Sequence, residues 1–298
     1  LRAFAVLPVI LYHAGFKTFS GGYVGVDIFF VISGYLITNI ILNEISIGRF
    51  KLINFWERRV RRILPALFFI MLISIPFSLL IMMPQDTKQF FESLMSIPIF
   101  SSNFFFMFKS GYFETTTELK PLIHTWSLSI EEQYYLIFPI FFVLAWRYSK
   151  NFIFPFLIII FIFSLGFSHW ASLYKPHIAF YLMPTRAWEL LLGVFCSYYF
   201  FYYKKNYINN HILINLLSIL GFLCIILSVI IYSDSTPFPG LYALLPTVGT
   251  LLIIIFCNKK TILYKFLCHK FFIGIGLISY SAYLWHQPIF SFLKYKNL

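Results

Sequence analysis

Residues 24–45, "VGVDIFFVISGYLITNIILNEI", hold two acidic side chains, Asp27 and Glu44, and no basic one. A helix of this length is about 33 Å long, enough to cross the roughly 30 Å hydrocarbon core of a bilayer. The same texture recurs along the chain. Apolar runs lie near 2–15, 64–83, 90–108, 132–147, 152–168, 186–203, 212–232, 241–257 and 271–292. The expected fold is therefore all-α: a polytopic transmembrane bundle of about ten membrane helices.

Composition supports that reading. Only 11% of the 298 residues are charged and 60% are hydrophobic, whereas a soluble domain is about 25% charged. The length alone would suggest two domains. The even spread of apolar runs instead predicts one membrane domain over residues 1–298, and both ends of the chain are expected to lie inside a longer protein. No cleavable signal sequence is expected. The net charge of +12 is read as cytoplasmic-loop lysine and arginine, not as a nucleic-acid surface. Cys196, Cys224, Cys257 and Cys268 have no metal or redox spacing and read as buried, inert thiols. No metal site is expected.

The polar islands between runs set orientation. Residues 49–62 carry Arg49, Lys51, Arg58, Arg59, Arg61 and Arg62 against Glu57 alone. The positive-inside rule puts this island in the cytoplasm. Arg2 then lies near the cytoplasmic face and His13 deeper, towards the outer half. By the same rule "WRYSK", "YYKKNY" and "CNKK" belong inside and "SDSTPFPG" outside. Counting crossings gives the opposite parity after residue 108. One element between 84 and 130 therefore does not cross once: it is re-entrant, interfacial or two short pieces, unless the charge rule fails there.

The first run poses the chemical question. "LRAFAVLPVILYHAG" places Arg2 and His13 eleven residues apart, on one helix face and about 16 Å apart along the axis. Ionisable groups in membrane spans usually face a cavity or bundle interior. Each also has a bland reading, a snorkelling arginine and a hydrogen-bonded histidine. Histidine is the usual general base near neutral pH, oriented by a neighbouring carboxylate. Asp27 is the local candidate, with Glu131 and Glu132 as rivals. Asp27 also suits a helix start.

In "FWERRVRRILPAL", Arg58 and Arg61, or Arg59 and Arg62, share a helix face. Their forks suit phosphate, though a headgroup anchor would look the same. "HTWSLSIEEQYYLIFP" contains Trp126, Glu131 and Glu132, and Ser129 with Glu132 fits a capping box. "PTRAWELLLG" predicts an intrahelical ion pair between Arg186 and Glu189. His286 lies at membrane depth in "SYSAYLWHQPIF".

Together these stretches resemble the acyltransferase 3 family of bacterial inner-membrane acyltransferases. "LRAFAVLPVILYHAG", "GGYVGVDIFFVISGYLI", "RRVRRILPAL", "PLIHTWSLSIEEQYYLIFP", "RAWELLLG" and "SYSAYLWHQPI" run in family order over essentially the whole chain. The resemblance implies a multi-pass protein of the bacterial cytoplasmic membrane. It would move acetyl groups from cytosolic acetyl-CoA to a sugar hydroxyl of a surface glycan or lipid-linked sugar, similar to lipopolysaccharide O-antigen O-acetylases. It implies that Arg2 and His13 form the essential pair and that the α-helical arginines Arg58, Arg59, Arg61 and Arg62 hold the donor, in one of two registers.

On this reading His13 is base or nucleophile, and Asp27 or Glu131 supports it. Trp126, Glu132, Arg186, Glu189 and His286 line the substrate. Besides membrane lipids, the partners would include a periplasmic SGNH-type domain in cis or trans, because the chain stops soon after "YLWHQPI". The alternative is a lipid-linked sugar flippase or transporter with no acyl transfer, since transport paths also carry intramembrane charges.

Overall fold

The computed structural model describes residues 1–109, 116–203 and 210–296. The described residues are helical, with no strand among them. The helices are α1 (Arg2–His13), α2 (Gly25–Ser46), α3 (Leu52–Ile81), α4 (Pro84–Ser96), α5 (Ser102–Phe108), α6 (Thr125–Tyr148) and α7 (Lys150–Tyr174). They continue as α8 (Pro176–Tyr181), α9 (Met183–Tyr203), α10 (His211–Ile231), α11 (Leu244–Phe256), α12 (Ile262–Leu267) and α13 (Lys270–Lys296).

Five of the described helices are long and apolar enough to cross a membrane, fewer than the ten expected. They are α2 with its preceding turn, α3, α6, α7 and α10. The shortfall has physical causes. Helices α1 and α11 are 12 and 13 residues long, short of a full span. The run 90–108 is not one helix: Phe100 has φ of 54°, which separates α4 from α5. Two short pieces thus replace one span, one of the solutions expected from the charge parity. Helices α9 and α13 are long, but α9 carries Arg186 and Glu189 and α13 carries His286, Gln287 and terminal lysines.

Arg58, Arg59, Arg61 and Arg62 lie on α3, so they are helical as read. One further expectation is corrected: the capping box at Ser129 is not formed. Helix α6 begins at Thr125, and the Ser129 hydroxyl is 2.7 Å from that of Ser102. The "YYKKNY" island falls partly on residues 204–209, outside the described residues.

The chain divides into two compact units. The first comprises Leu1–Phe50, Val143–Phe180 and Pro184–Ser279, and the second Lys51–Phe142, Tyr181–Met183 and Tyr280–Leu298. In the first unit α2 is central, with 67% of its apolar window buried, while only 22% of the α7 window is. The α7 side chains Phe152, Phe163 and Trp170 point outward, as lipid-facing residues do.

Helices α2 and α9 touch backbone to backbone. A Cβ built on Gly34 would lie 1.9 Å from Leu190 O, and one on Gly193 2.1 Å from Val31 O. Only glycine permits such an approach, the usual device for tight packing in a membrane. Asp27 meets Arg186 on the same pair of helices, so α2 and α9 run in the same direction. The chain therefore leaves both helices on one side, and His13, at the end of α1, lies beside the start of α2.

Candidate active site

Helix α1 ends at His13 for a local reason. Gly15 takes φ of 86°, Gly15 N–H bonds Tyr12 O, and Phe16 N–H bonds Leu11 O. This is the Schellman ending, which needs a left-handed residue that glycine supplies. The imidazole is thereby held at the carbonyl end of the helix, where the dipole favours positive charge.

His13 Nδ1 lies 2.8 Å from Val9 O, one turn back. A carbonyl can only accept, so Nδ1 carries the proton and, in the neutral ring, the lone pair is on Nε2. That is the tautomer a base or nucleophile needs. Its orienting partner at Nδ1 is thus a backbone carbonyl, not the carboxylate expected from sequence. The Tyr12 ring packs edge-on against the imidazole, with centroids 5.0 Å apart, and Tyr12 Oη donates to Asp234 Oδ1 at 2.7 Å.

Asp27, one of the carboxylates expected to serve His13, is committed elsewhere. Arg186 Nη1 donates to Asp27 Oδ1 at 2.7 Å and to Glu189 Oε1 at 2.9 Å, with side-chain exposures of 1%, 0% and 0%. The i,i+3 pair read from "RAWEL" is therefore formed, and a third member joins it across 159 residues. The Phe180 and Phe238 rings lie 5.2 and 5.4 Å from the guanidinium carbon, which closes the site to water. Asp27 Oδ2 and Glu189 Oε2 have no hydrogen-bond partner among the described residues. One cation thus answers two buried carboxylates.

The second unit carries the arginine face of α3. Arg61 pairs with Glu57 at 2.7 Å and is 78% exposed. Arg58 and Arg62 are exposed, whereas Arg59 is half-buried over the Phe55 ring at 5.8 Å and feels the charge of Glu132. The two registers are therefore not equivalent: Arg59 alone of the four turns inward. Glu132 and Trp126 are buried, with Trp126 edge-on to Tyr181 at 5.6 Å. Glu131 accepts from Tyr135 Oη at 3.3 Å. His286 is buried, its Nδ1 bonded to Tyr283 O, and its ring is 5.5 Å from that of His124. Arg2, the first residue of α1, is half-buried in the first unit.

A family model described as an acyltransferase domain, of the acyltransferase 3 type, matches residues 1–297. The chain belongs to this acyltransferase family. It is 33% identical over 303 residues to a peptidoglycan O-acetyltransferase of Listeria monocytogenes, covering 97% of this chain and 48% of that protein. It is also 33% identical over 305 residues to an O-acetyltransferase of Staphylococcus aureus, covering 99% of this chain and 50% of that one. The chain thus spans about half the length of these curated relatives. No solved structure matches it.

Within this acyltransferase chain, sequence reasoning missed three groups: Tyr12 with Asp234, the Phe180 and Phe238 rings around Arg186, and the contact of His124, Ser127 and Tyr283. Ser127 and Tyr283 hydroxyls lie 2.7 Å apart, and Tyr283 Oη donates to His124 O at 3.1 Å. Ser127, His124 and Asp234 stand in the quoted polar islands, which was their one visible signal. Tyr12 had none, being one tyrosine among twenty.

Proposed function

We propose that the chain is the membrane part of an O-acetyltransferase of the bacterial cytoplasmic membrane. It would move an acetyl group from acetyl-CoA to a hydroxyl of a cell-envelope glycan. The names of the relatives favour peptidoglycan as acceptor over the lipopolysaccharide O-antigen suggested by sequence. The observation that carries the reading is the His13 ring, tethered through Nδ1 with its lone pair on Nε2.

On the general-base route, Nε2 takes the proton of the acceptor hydroxyl while its oxygen attacks the thioester carbonyl. The C–S bond breaks, and the departing CoA thiolate takes the proton back from the imidazolium. On the covalent route, Nε2 itself attacks the thioester and expels the thiolate. The acceptor oxygen then attacks the acetyl carbonyl, the C–N bond to the imidazole breaks, and the hydroxyl proton passes to Nε2 and on to the thiolate. The arginines of α3 are assigned to the phosphates of CoA, whose charge they match. Asp27 and Glu189 hold Arg186 within the first unit and are assigned to its packing rather than to proton transfer. Glu131, Glu132, Trp126 and His286 are assigned likewise within the second.

The test is His13→Ala in the full chain. Base-labile acetate on purified peptidoglycan should be lost while the protein still accumulates in membranes. Retained acetylation would refute the role. Mass spectrometry after exposure to acetyl-CoA alone separates the routes, since an acetyl-His13 adduct marks the covalent one. The rate should fall on acidification as the imidazole takes up a proton and loses its lone pair. A flat profile from about pH 5 to 8 would exclude a neutral imidazole as the acting species.

A further inference from the structure

The segment 232–240, "YSDSTPFPG", is fastened to the His13 end of α1 and to the connection between α1 and α2, 210 to 222 residues away in sequence. Three bonds make the attachment. Tyr12 Oη donates to Asp234 Oδ1 at 2.7 Å, Tyr23 Oη donates to Ser233 O at 3.1 Å, and Ser20 Oγ donates to Tyr232 O at 2.7 Å. Rings join the same parts. His13 meets Tyr12 at 5.0 Å, Tyr12 meets Tyr23 at 5.6 Å, Tyr23 meets Phe238 at 4.9 Å, and Phe238 caps the Arg186 guanidinium. The three ring-to-ring contacts are edge-on, an arrangement aromatic pairs prefer.

The Nδ1 bond to Val9 fixes a point of the His13 ring and not its plane. The Tyr12 ring, packed edge-on against it, bears on that plane. That ring in turn is anchored at its far end by Asp234, an acceptor supplied by a segment whose other end is pinned by the buried Arg186 cluster. We propose that Tyr12 and Asp234 are positioning residues for His13. Asp234 accepts the Tyr12 hydroxyl, which holds the tyrosine ring edge-on and thereby fixes the imidazole plane in which Nε2 meets the acceptor hydroxyl. This rests on the reading of His13 as the acting group.

The roles predict a distinctive pattern. Tyr12→Phe and Asp234→Ala each remove the same hydrogen bond, and Asp234→Asn keeps an acceptor oxygen at that place. In membranes carrying the full chain, with labelled acetyl-CoA as donor and endogenous glycan as acceptor, Tyr12→Phe and Asp234→Ala should each lower the maximal rate about tenfold, the size expected for losing a charge-assisted hydrogen bond. The KM for acetyl-CoA should stay unchanged. Asp234→Asn should restore the rate to within about twofold, since a neutral acceptor replaces a charged one. The double variant Tyr12→Phe with Asp234→Ala should be no slower than either single variant, because the two changes break one bond. Modification of His13 by diethyl pyrocarbonate, followed by mass spectrometry, gives a readout that does not need turnover. Its rate at His13 should change in both single variants and return to the parent value in Asp234→Asn.

Full activity in Tyr12→Phe, additive losses in the double variant, or an Asp234→Asn as slow as Asp234→Ala would each overturn the positioning role. Failure of the underlying reading looks different: His13→Ala would then retain acetylation whatever the state of Tyr12 and Asp234.

Discussion

Arg186 and Arg61 are the same residue in opposite settings. Arg186 is 1% exposed, shares two carboxylates and lies between two phenylalanine rings. Arg61 is 78% exposed and pairs with Glu57, which is itself half exposed. A buried guanidinium has exchanged all its water for protein, so its partners are fixed and it is structural. An exposed one keeps its water and exchanges its partner at little cost, so it can meet an arriving phosphate. A count of arginines in the sequence does not separate these roles, but the burial of each guanidinium does.

The comparison can be broken most sharply at Arg186. Replacing it with Leu would strand two carboxylates in the interior of the first unit, at a cost of about 3–5 kcal/mol. We expect loss of monodisperse protein in detergent, or a large drop in its unfolding midpoint. A variant as stable as the parent would show that the cluster is not a structural keystone. The next largest effect belongs to Gly34→Ala at the crossing of α2 and α9. The added methyl would meet a backbone carbonyl, which cannot move aside, at about 1–3 kcal/mol. Gly166→Ala in α7 is the control, because nothing lies within 4 Å of the added atom. It should leave the midpoint unchanged or raise it slightly. Equal effects at the two glycines would remove the case for a tight crossing.

The smallest effect on stability is expected at the exposed arginines. Arg58→Gln, Arg61→Gln and Arg62→Gln should each shift stability by no more than about 0.5 kcal/mol. Their effect should appear in the KM for acetyl-CoA, raised about tenfold when the three are combined, because charge-assisted bonds to phosphate are lost. Added salt should raise the parent's KM towards that of the triple variant. An unchanged KM would return these arginines to the role of membrane anchors.

How much of this was legible beforehand follows from range. Local features were readable: the apolar runs, the one-face placement of Arg2 and His13, and the pair of Arg186 with Glu189 three residues on. Each depends on helical period alone. The break at Phe100 was visible only indirectly, as a parity that did not close. The start of α6 was misread because Ser129 and Glu132 match a capping pattern, yet the helix begins one turn earlier, where the Thr125 hydroxyl bonds Leu122 O.

By itself, then, the sequence determined that the chain is helical and apolar enough to enter a membrane. Six ordered blocks carried its likeness to an acyltransferase family. Only tertiary structure decided that Asp27 serves Arg186 and that Asp234 reaches Tyr12, beside His13. The reason is physical. A buried carboxylate goes to whichever cation the packing brings within hydrogen-bond reach, and that cation lies 159 residues away, delivered by a glycine-lined crossing whose depth no local pattern encodes.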